Sequence, residues 1–126
     1  MKARVLIIDD EDAVRSSLKM IFEYEGYEVL LAASGPVGLK IAEQEAPDLV
    51  FLDVKMPQMD GLEVLKRLKE RDAAPPVVIL SGHGTVKTAV EAVKLGAWDF
   101  IEKPPESERI LIAARNALGQ QRLVEE

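Results

Sequence analysis

Apolar positions along the chain follow two alternating rhythms. Short, partly β-branched runs occur at residues 4–8 (RVLII), 27–32 (YEVLLA), 48–53 (DLVFLD), 76–81 (PVVILS) and 98–102 (WDFIE), each of strand length. Between them the spacing changes to three and four. Val14, Leu18, Ile21 and Phe22 form one such set, Leu62, Leu65 and Leu68 a second, and Val86, Ala89, Val90 and Val93 a third. Each set lays one apolar stripe along a helix. Residues 39–46 and 110–118 complete five predicted helices. Local punctuation agrees: Gly26 ends the first helix, Ser34 caps the second, Asp60-Gly61 opens the third and Gly96 closes the fourth. The pattern predicts a strand–helix pair repeated five times.

Single helices between consecutive strands imply a parallel sheet, because parallel neighbours need a crossover and the crossover is right-handed. Helices then cover both faces. This accounts for VLII, LVFL and VVIL being unbroken apolar runs, since a strand buried on both faces has no wet side. In such sheets ligands gather beyond the carboxyl ends of the strands, so the chemistry is expected there.

Composition narrows the field. The 126 residues suit one domain, and 48% apolar with 30% charged residues is ordinary for a globular protein. The apolar run near the start is cut off by DDED after four residues, so neither a signal peptide nor a membrane span is read there, and a cytoplasmic location is expected. The absence of cysteine excludes disulfides and thiolate zinc sites. A net charge of −6 disfavours direct binding of nucleic-acid phosphates; any DNA-directed role calls for another domain.

The predicted carboxyl edge is unusually polar. The first strand ends in Asp9 and Asp10, the third in Asp53, the fourth in Ser81, and Lys103 follows the fifth. Carboxylates brought this close repel one another and raise each other's pKa unless a cation neutralises them. Oxygen ligands without histidine or cysteine favour magnesium, which keeps several waters and bridges to phosphate. An aspartate oxygen beside such a cation can attack phosphorus and form an acyl phosphate, with a lysine ammonium absorbing charge on the transferring group.

The segments IIDDE, LDVKMPQMDG, VVILSGHG and GAWDFIEKP, in order and spacing, resemble the receiver domain of bacterial two-component response regulators over essentially the whole chain. The resemblance implies a flavodoxin-like (βα)5 three-layer α/β fold with strand order 2-1-3-4-5, and phosphoryl transfer from a phosphohistidine of a sensor histidine kinase. It makes Asp53 the phosphoacceptor. Asp10 and Asp53 become the carboxylate ligands of Mg2+, with the backbone carbonyl of Lys55 as a third ligand and Asp9 acting through water. Ser81 becomes the hydroxyl that turns toward the phosphoryl group, Lys103 its ion-pair partner, and Phe100 the aromatic coupled to Ser81. A cis peptide before Pro104 is expected. Such a domain is a signalling switch rather than a turnover enzyme, although it carries out its own magnesium-dependent phosphorylation and dephosphorylation.

The stretch SGHGTVKTAVEAVKLGAWDFIEKP is similar to receivers of the nitrogen-regulation type. That implies a receiver at 1–119, a helical linker beginning at 120–126, and an effector domain through which DNA binding and sigma-54-dependent transcription would be controlled. The fourth helix, fifth strand and fifth helix would form the output face, with phosphorylation-dependent homodimerisation expected there. Leu111 and Leu118, seven apart, offer a possible start to a coiled-coil seam.

Each of these residues also has a simpler reading. Asp9 and Asp10 suit the start of a helix as caps. Asp53 suits a turn, but a charge ending a doubly buried strand is costly without a partner. Lys103 alone reads as solvated, Ser81 as a loop cap, and Phe100 and Trp98 as packing. His83 lacks a second ligand and is left outside the site, while Gly82 and Gly84 beside it give that loop freedom to move. A flavin-binding relative of the fold is excluded because DDED would repel a phosphate. A dehalogenase-type phosphatase would make Asp10 the nucleophile and leave Asp53 idle. Lys55 and Pro105 depart from the usual receiver pattern, and Pro105 is expected in the first turn of the last helix.

Overall fold

The computed structural model describes residues 2–82 and 86–125, with side chains described as far as residue 119. Its elements are β1 (Arg4–Ile8), α1 (Asp12–Tyr24), β2 (Glu28–Ala32), α2 (Gly35–Glu45), β3 (Leu49–Asp53), α3 (Gly61–Lys69), β4 (Val77–Ser81), α4 (Val86–Lys94), β5 (Asp99–Glu102) and α5 (Ser107–Glu125). The strands form one sheet of order β2-β1-β3-β4-β5 with every neighbouring pair parallel.

Burial explains the unbroken apolar runs. Val5, Ile7, Phe51, Val78 and Leu80 pack on one face with Leu18 and Phe22 of α1 and Ile110, Ala113 and Ala117 of α5. Leu6, Ile8, Val50, Leu52, Val77 and Ile79 pack on the other with Ala42 of α2, Val64, Leu65 and Leu68 of α3, and Ala92 of α4. Successive strand residues point to opposite faces, so both sets must be apolar. Phe22 joins the layers, its ring edge-on to Tyr27 at 5.6 Å and tilted against Phe51 at 5.1 Å.

The helix ends follow local chemistry. Ser34 Oγ accepts from the Val37 N–H at 3.4 Å, and Asp60 Oδ1 accepts from the Leu62 N–H at 2.9 Å. Gly26 and Gly96, at φ 90° and 101°, follow α1 and α4 in the left-handed region that favours glycine. Gly61 has a different reason. A Cβ there would overlap the Asp53 carbonyl and lie 2.5 Å from Val54 Cα, so only glycine lets the β3–α3 loop fold back onto the end of β3.

Several sequence expectations shift. Strands β2 to β5 each begin one residue later than the apolar runs suggested, whereas α2 begins at Gly35 directly after its expected cap Ser34, with Pro36 in its first turn. The last helix starts at Ser107, so Pro105 lies ahead of it rather than in its first turn. Leu118 is buried and Leu111 packs against the same cluster. These two leucines therefore serve the α5–sheet interface and not a coiled-coil seam. Trp98 is 41% exposed rather than packed away. Among the described residues, no helix is long and apolar enough to cross a membrane.

Candidate functional site

Strand register delivers the polar residues to one edge. Ile8 pairs with Leu52, so one step further along the two strands Asp9 comes beside Asp53; Asp53 pairs with Leu80, and Ser81 with Glu102. The Lys103 N–H then donates to the Ser81 carbonyl at 2.9 Å, which carries the chain into the cis Lys103–Pro104 peptide. The side chains of Asp9, Asp53 and Ser81 lie inside the edge, at 1%, 4% and 3% exposure. Asp10 is exposed.

Lys103 is the centre of the arrangement. Its Nζ lies 2.8 Å from Asp9 Oδ2, 3.2 Å from Glu11 Oε1 and 3.4 Å from Asp53 Oδ2. Backbone donors supply the rest: the Glu11 N–H reaches Asp9 Oδ1 at 2.9 Å and the Lys55 N–H reaches Asp53 Oδ1 at 3.3 Å. Burial, and then the charge of Asp9, push the Asp53 carboxyl up to about 6, against the opposing pull of Lys103 and the Lys55 N–H. Burial works against the Lys103 charge, yet its contacts with Asp9, Asp53 and Glu11 raise its pKa on balance.

Neither aspartate of the first loop caps α1, because its N-cap residue is Glu11 and no side chain makes the capping bond. Asp9 and Asp10 therefore have other uses. One oxygen from each of Asp9, Asp10, Glu11 and Asp53 falls within a 4.8 Å cluster. Asp9 Oδ2 is buried and receives no aligned hydrogen bond even with Lys103 nearby. An all-oxygen donor set whose negative charge exceeds what Lys103 can balance fits a hard divalent cation of the magnesium class.

The remaining predicted residues fall around this cluster. Lys55 stands exposed on the rim, beside a cleft of about 680 Å³ lined by Asp10, Met56, Gln58, Asp60 and Thr88. Phe100 pairs with Ile79 across β4 and β5 and packs, half-buried, against the α2–α3–α4 face. Gly82 is an exposed turn residue, and His83 and Gly84 lie outside the described residues. Glu11 is the site residue that sequence reasoning missed. Its one signal was its place in the acidic run DDED; nothing local indicates that it reaches a lysine 92 positions away.

Residues 5–115 match the response regulator receiver domain family. The chain is 36% identical over 123 residues to the regulatory protein AtoC of Escherichia coli (strain K12), covering 98% of this chain and 27% of that protein. It is 41% identical over 115 residues to an NtrX-like response regulator of Rickettsia bellii, covering 90% of this chain and 24% of that one. The chain thus spans about a quarter of the length of these two curated relatives. Among solved structures, a CheY-like receiver domain protein from Methanospirillum hungatei JF-1 superposes with a TM-score of 0.93 at 32% identity, covering 97% of this chain and 98% of that one. The receiver domain of NtrX from Brucella abortus gives 0.85 at 39% identity, with 91% and 98% covered. A family match that runs from the first strand into the last helix, together with a fold of the same kind, means that this chain belongs to the response regulator receiver domain family.

Proposed function

We propose that this receiver domain is a phosphorylation-driven switch whose acceptor is Asp53 and whose donor is a phosphohistidine on a sensor histidine kinase. The observation that carries the reading is a buried Asp53 carboxylate held 3.4 Å from Lys103 Nζ within a cluster of further acids. An Asp53 oxygen attacks phosphorus, the P–N bond to the imidazole breaks, and its electron pair returns to the ring; the product is an acyl phosphate. Asp10, Asp53 and the Lys55 carbonyl, with Asp9 through water, are the residues that would hold Mg2+. Bound there, the ion neutralises the carboxylates and the developing charge on the phosphoryl oxygens. Lys103 provides the second positive charge. Ser81 turns its hydroxyl to the phosphoryl group, and Phe100 moves into the space that the Ser81 loop vacates.

The output face is formed by α4, β5 and α5. Val86, Val90, Val93, Trp98 and Ile112 are exposed there, which suits a surface that changes partner with phosphorylation. Homodimerisation through it, an effector domain joined by a helical linker, and sigma-54-dependent output are the fuller reading. The NtrX-like and AtoC relatives, about four times as long, support it. The domain acts once per phosphorylation rather than by substrate turnover, catalysing its own gain and loss of the group, in the cytoplasm where a kinase can reach it.

The test is intact-protein mass after incubation with acetyl phosphate, with and without magnesium. One added phosphoryl group that requires magnesium, survives in neither Asp53→Asn nor metal-free protein, and drops in Asp10→Asn is the expected result. Retention in Asp53→Asn with loss in Asp10→Asn would instead make Asp10 the nucleophile, as in a phosphatase.

A further inference from the structure

Glu11 belongs to the acidic cluster but has no assigned role in the phosphoryl transfer proposed above, and its side chain touches Lys103. It stands at the N-cap of α1 with extended backbone, φ −91° and ψ 119°, where a side chain ordinarily bonds back to the helix. The Glu11 side chain does not. It reaches across the edge of the sheet instead, with Oε1 3.2 Å from Lys103 Nζ, although 60% of that side chain is exposed to water.

An ammonium has three donors and no more. Around Lys103 the nearest carboxylate oxygens belong to Asp9, Glu11 and Asp53 at 2.8, 3.2 and 3.4 Å, so the acceptor is the most distant of the three. We propose that Glu11 is a positioning residue that holds Lys103 toward the first loop before phosphorylation and must release it when the phosphoryl group arrives. Glu11 thereby opposes phosphorylation of Asp53; the inference rests on Asp53 being the acceptor.

The identity of the residue that yields follows from burial. A phosphoryl group carries more charge than any single carboxylate and competes for Lys103. Asp9 is buried, and its other oxygen is held by the Glu11 N–H, so leaving the cation would strand a charge in the interior. Glu11 is exposed and lines a cleft of about 460 Å³ with Val14, Ser17, Lys103 and Pro105, and it can turn into solvent there. A contact present only in the unphosphorylated state biases the equilibrium toward that state.

The experiment uses the full chain with acetyl phosphate and magnesium, reading the ratio of phosphorylated to free protein by intact mass at steady state. Glu11→Gln is expected to raise that ratio about two- to five-fold, the size of a partly exposed ion pair. Glu11→Asp keeps the charge but shortens the reach, and is expected to behave like Glu11→Gln. In a Lys103→Met background, Glu11→Gln is expected to change nothing. As a readout independent of phosphorylation, the Lys103 side-chain ammonium and ε-methylene NMR signals of metal-free protein at fixed pH should move in Glu11→Gln. Three results would overturn the inference: wild-type behaviour of Glu11→Asp, an effect that persists without Lys103, or a loss of magnesium affinity in Glu11→Gln that makes Glu11 a metal ligand. If wild type never carries label on Asp53, the acceptor assignment fails first; unmoved Lys103 signals would then refute the clamp as well, on separate grounds.

Discussion

The two edges of the sheet set one cation against several acids, with opposite results. At the amino edge Arg4 faces Glu28 at 3.7 Å and Glu45 at 2.6 Å, and its own N–H donates to Asp48 at 2.8 Å. At the carboxyl edge Lys103 faces Asp9, Glu11 and Asp53. The stoichiometry is similar, but the surroundings are not. Glu28 and Glu45 are bathed in water, whereas Asp9 and Asp53 are almost wholly buried. Water screens the first cluster and leaves it a structural clasp between β1, β2 and α2. Burial leaves the second with mutual repulsion that its lone lysine does not cancel, so Asp53 is pushed up to about 6. Charge composition alone does not make a reactive site; exclusion of water from part of it does.

The contrast breaks most sharply at the cations. Lys103→Met should slow labelling of Asp53 by acetyl phosphate on the order of 10²-fold, the usual cost of removing one preorganised charge from a transferring group. Arg4→Met should leave that rate unchanged. Equal losses in the two variants, measured by intact mass against time, would mean that the lysine acts through stability rather than chemistry.

A second test concerns pH in metal-free protein. The Asp53 carboxyl has a folded pKa of about 6 against an ordinary 3.8, so between those values the native state binds more protons than the unfolded state. Stability must then fall as pH rises through this window, with the penalty absent below about 4 and complete above about 6. Asp53→Asn removes the penalty. It should stabilise metal-free protein at pH 7 by at most about 3 kcal/mol and by nothing near pH 3.5, as urea unfolding at the two pH values would report.

Magnesium should reverse that order. With the ion present the wild type gains stability by mass action while Asp53→Asn, short of a ligand, gains less. Parallel gains in both, followed by thermal unfolding against magnesium concentration, would show that the carboxylate cluster is not where the ion binds.

The smallest effect belongs to the amino edge. Arg4→Met should cost little stability, and that little should shrink further in high salt, because its partners are exposed. A large, salt-independent loss in urea unfolding would make the clasp comparable to the buried cluster and remove the distinction between the two edges.

Much of this was legible in the chain. Short unbroken apolar runs alternating with segments of period three to four placed every strand within one residue, since doubly buried parallel strands must be apolar throughout. The start of α2 was less legible, because residues 35–38 carry too few apolar positions to show a helical period, although Ser34 and Pro36 marked it. The resemblance to receivers picked out Asp53, Ser81, Phe100 and Lys103, and the fold gathers Asp53, Ser81 and Lys103 at one edge while Phe100 sits on β5 beside it. Pro105 misled because a proline that suits a first helical turn suits the residues just ahead of it equally well.

The sequence by itself determined the five strand–helix pairs, the parallel sheet and the edge at which acids and lysine would meet, because periodicity and topology are properties of the chain read in order. Only the tertiary structure decided which acid is buried and which is wet. Asp9 and Asp10 are adjacent and chemically identical, yet the folded chain buries Asp9 against Lys103 and leaves Asp10 exposed. It also decided that Glu11 forgoes its cap for Lys103, since a contact spanning 92 positions exists only once the sheet has closed the distance.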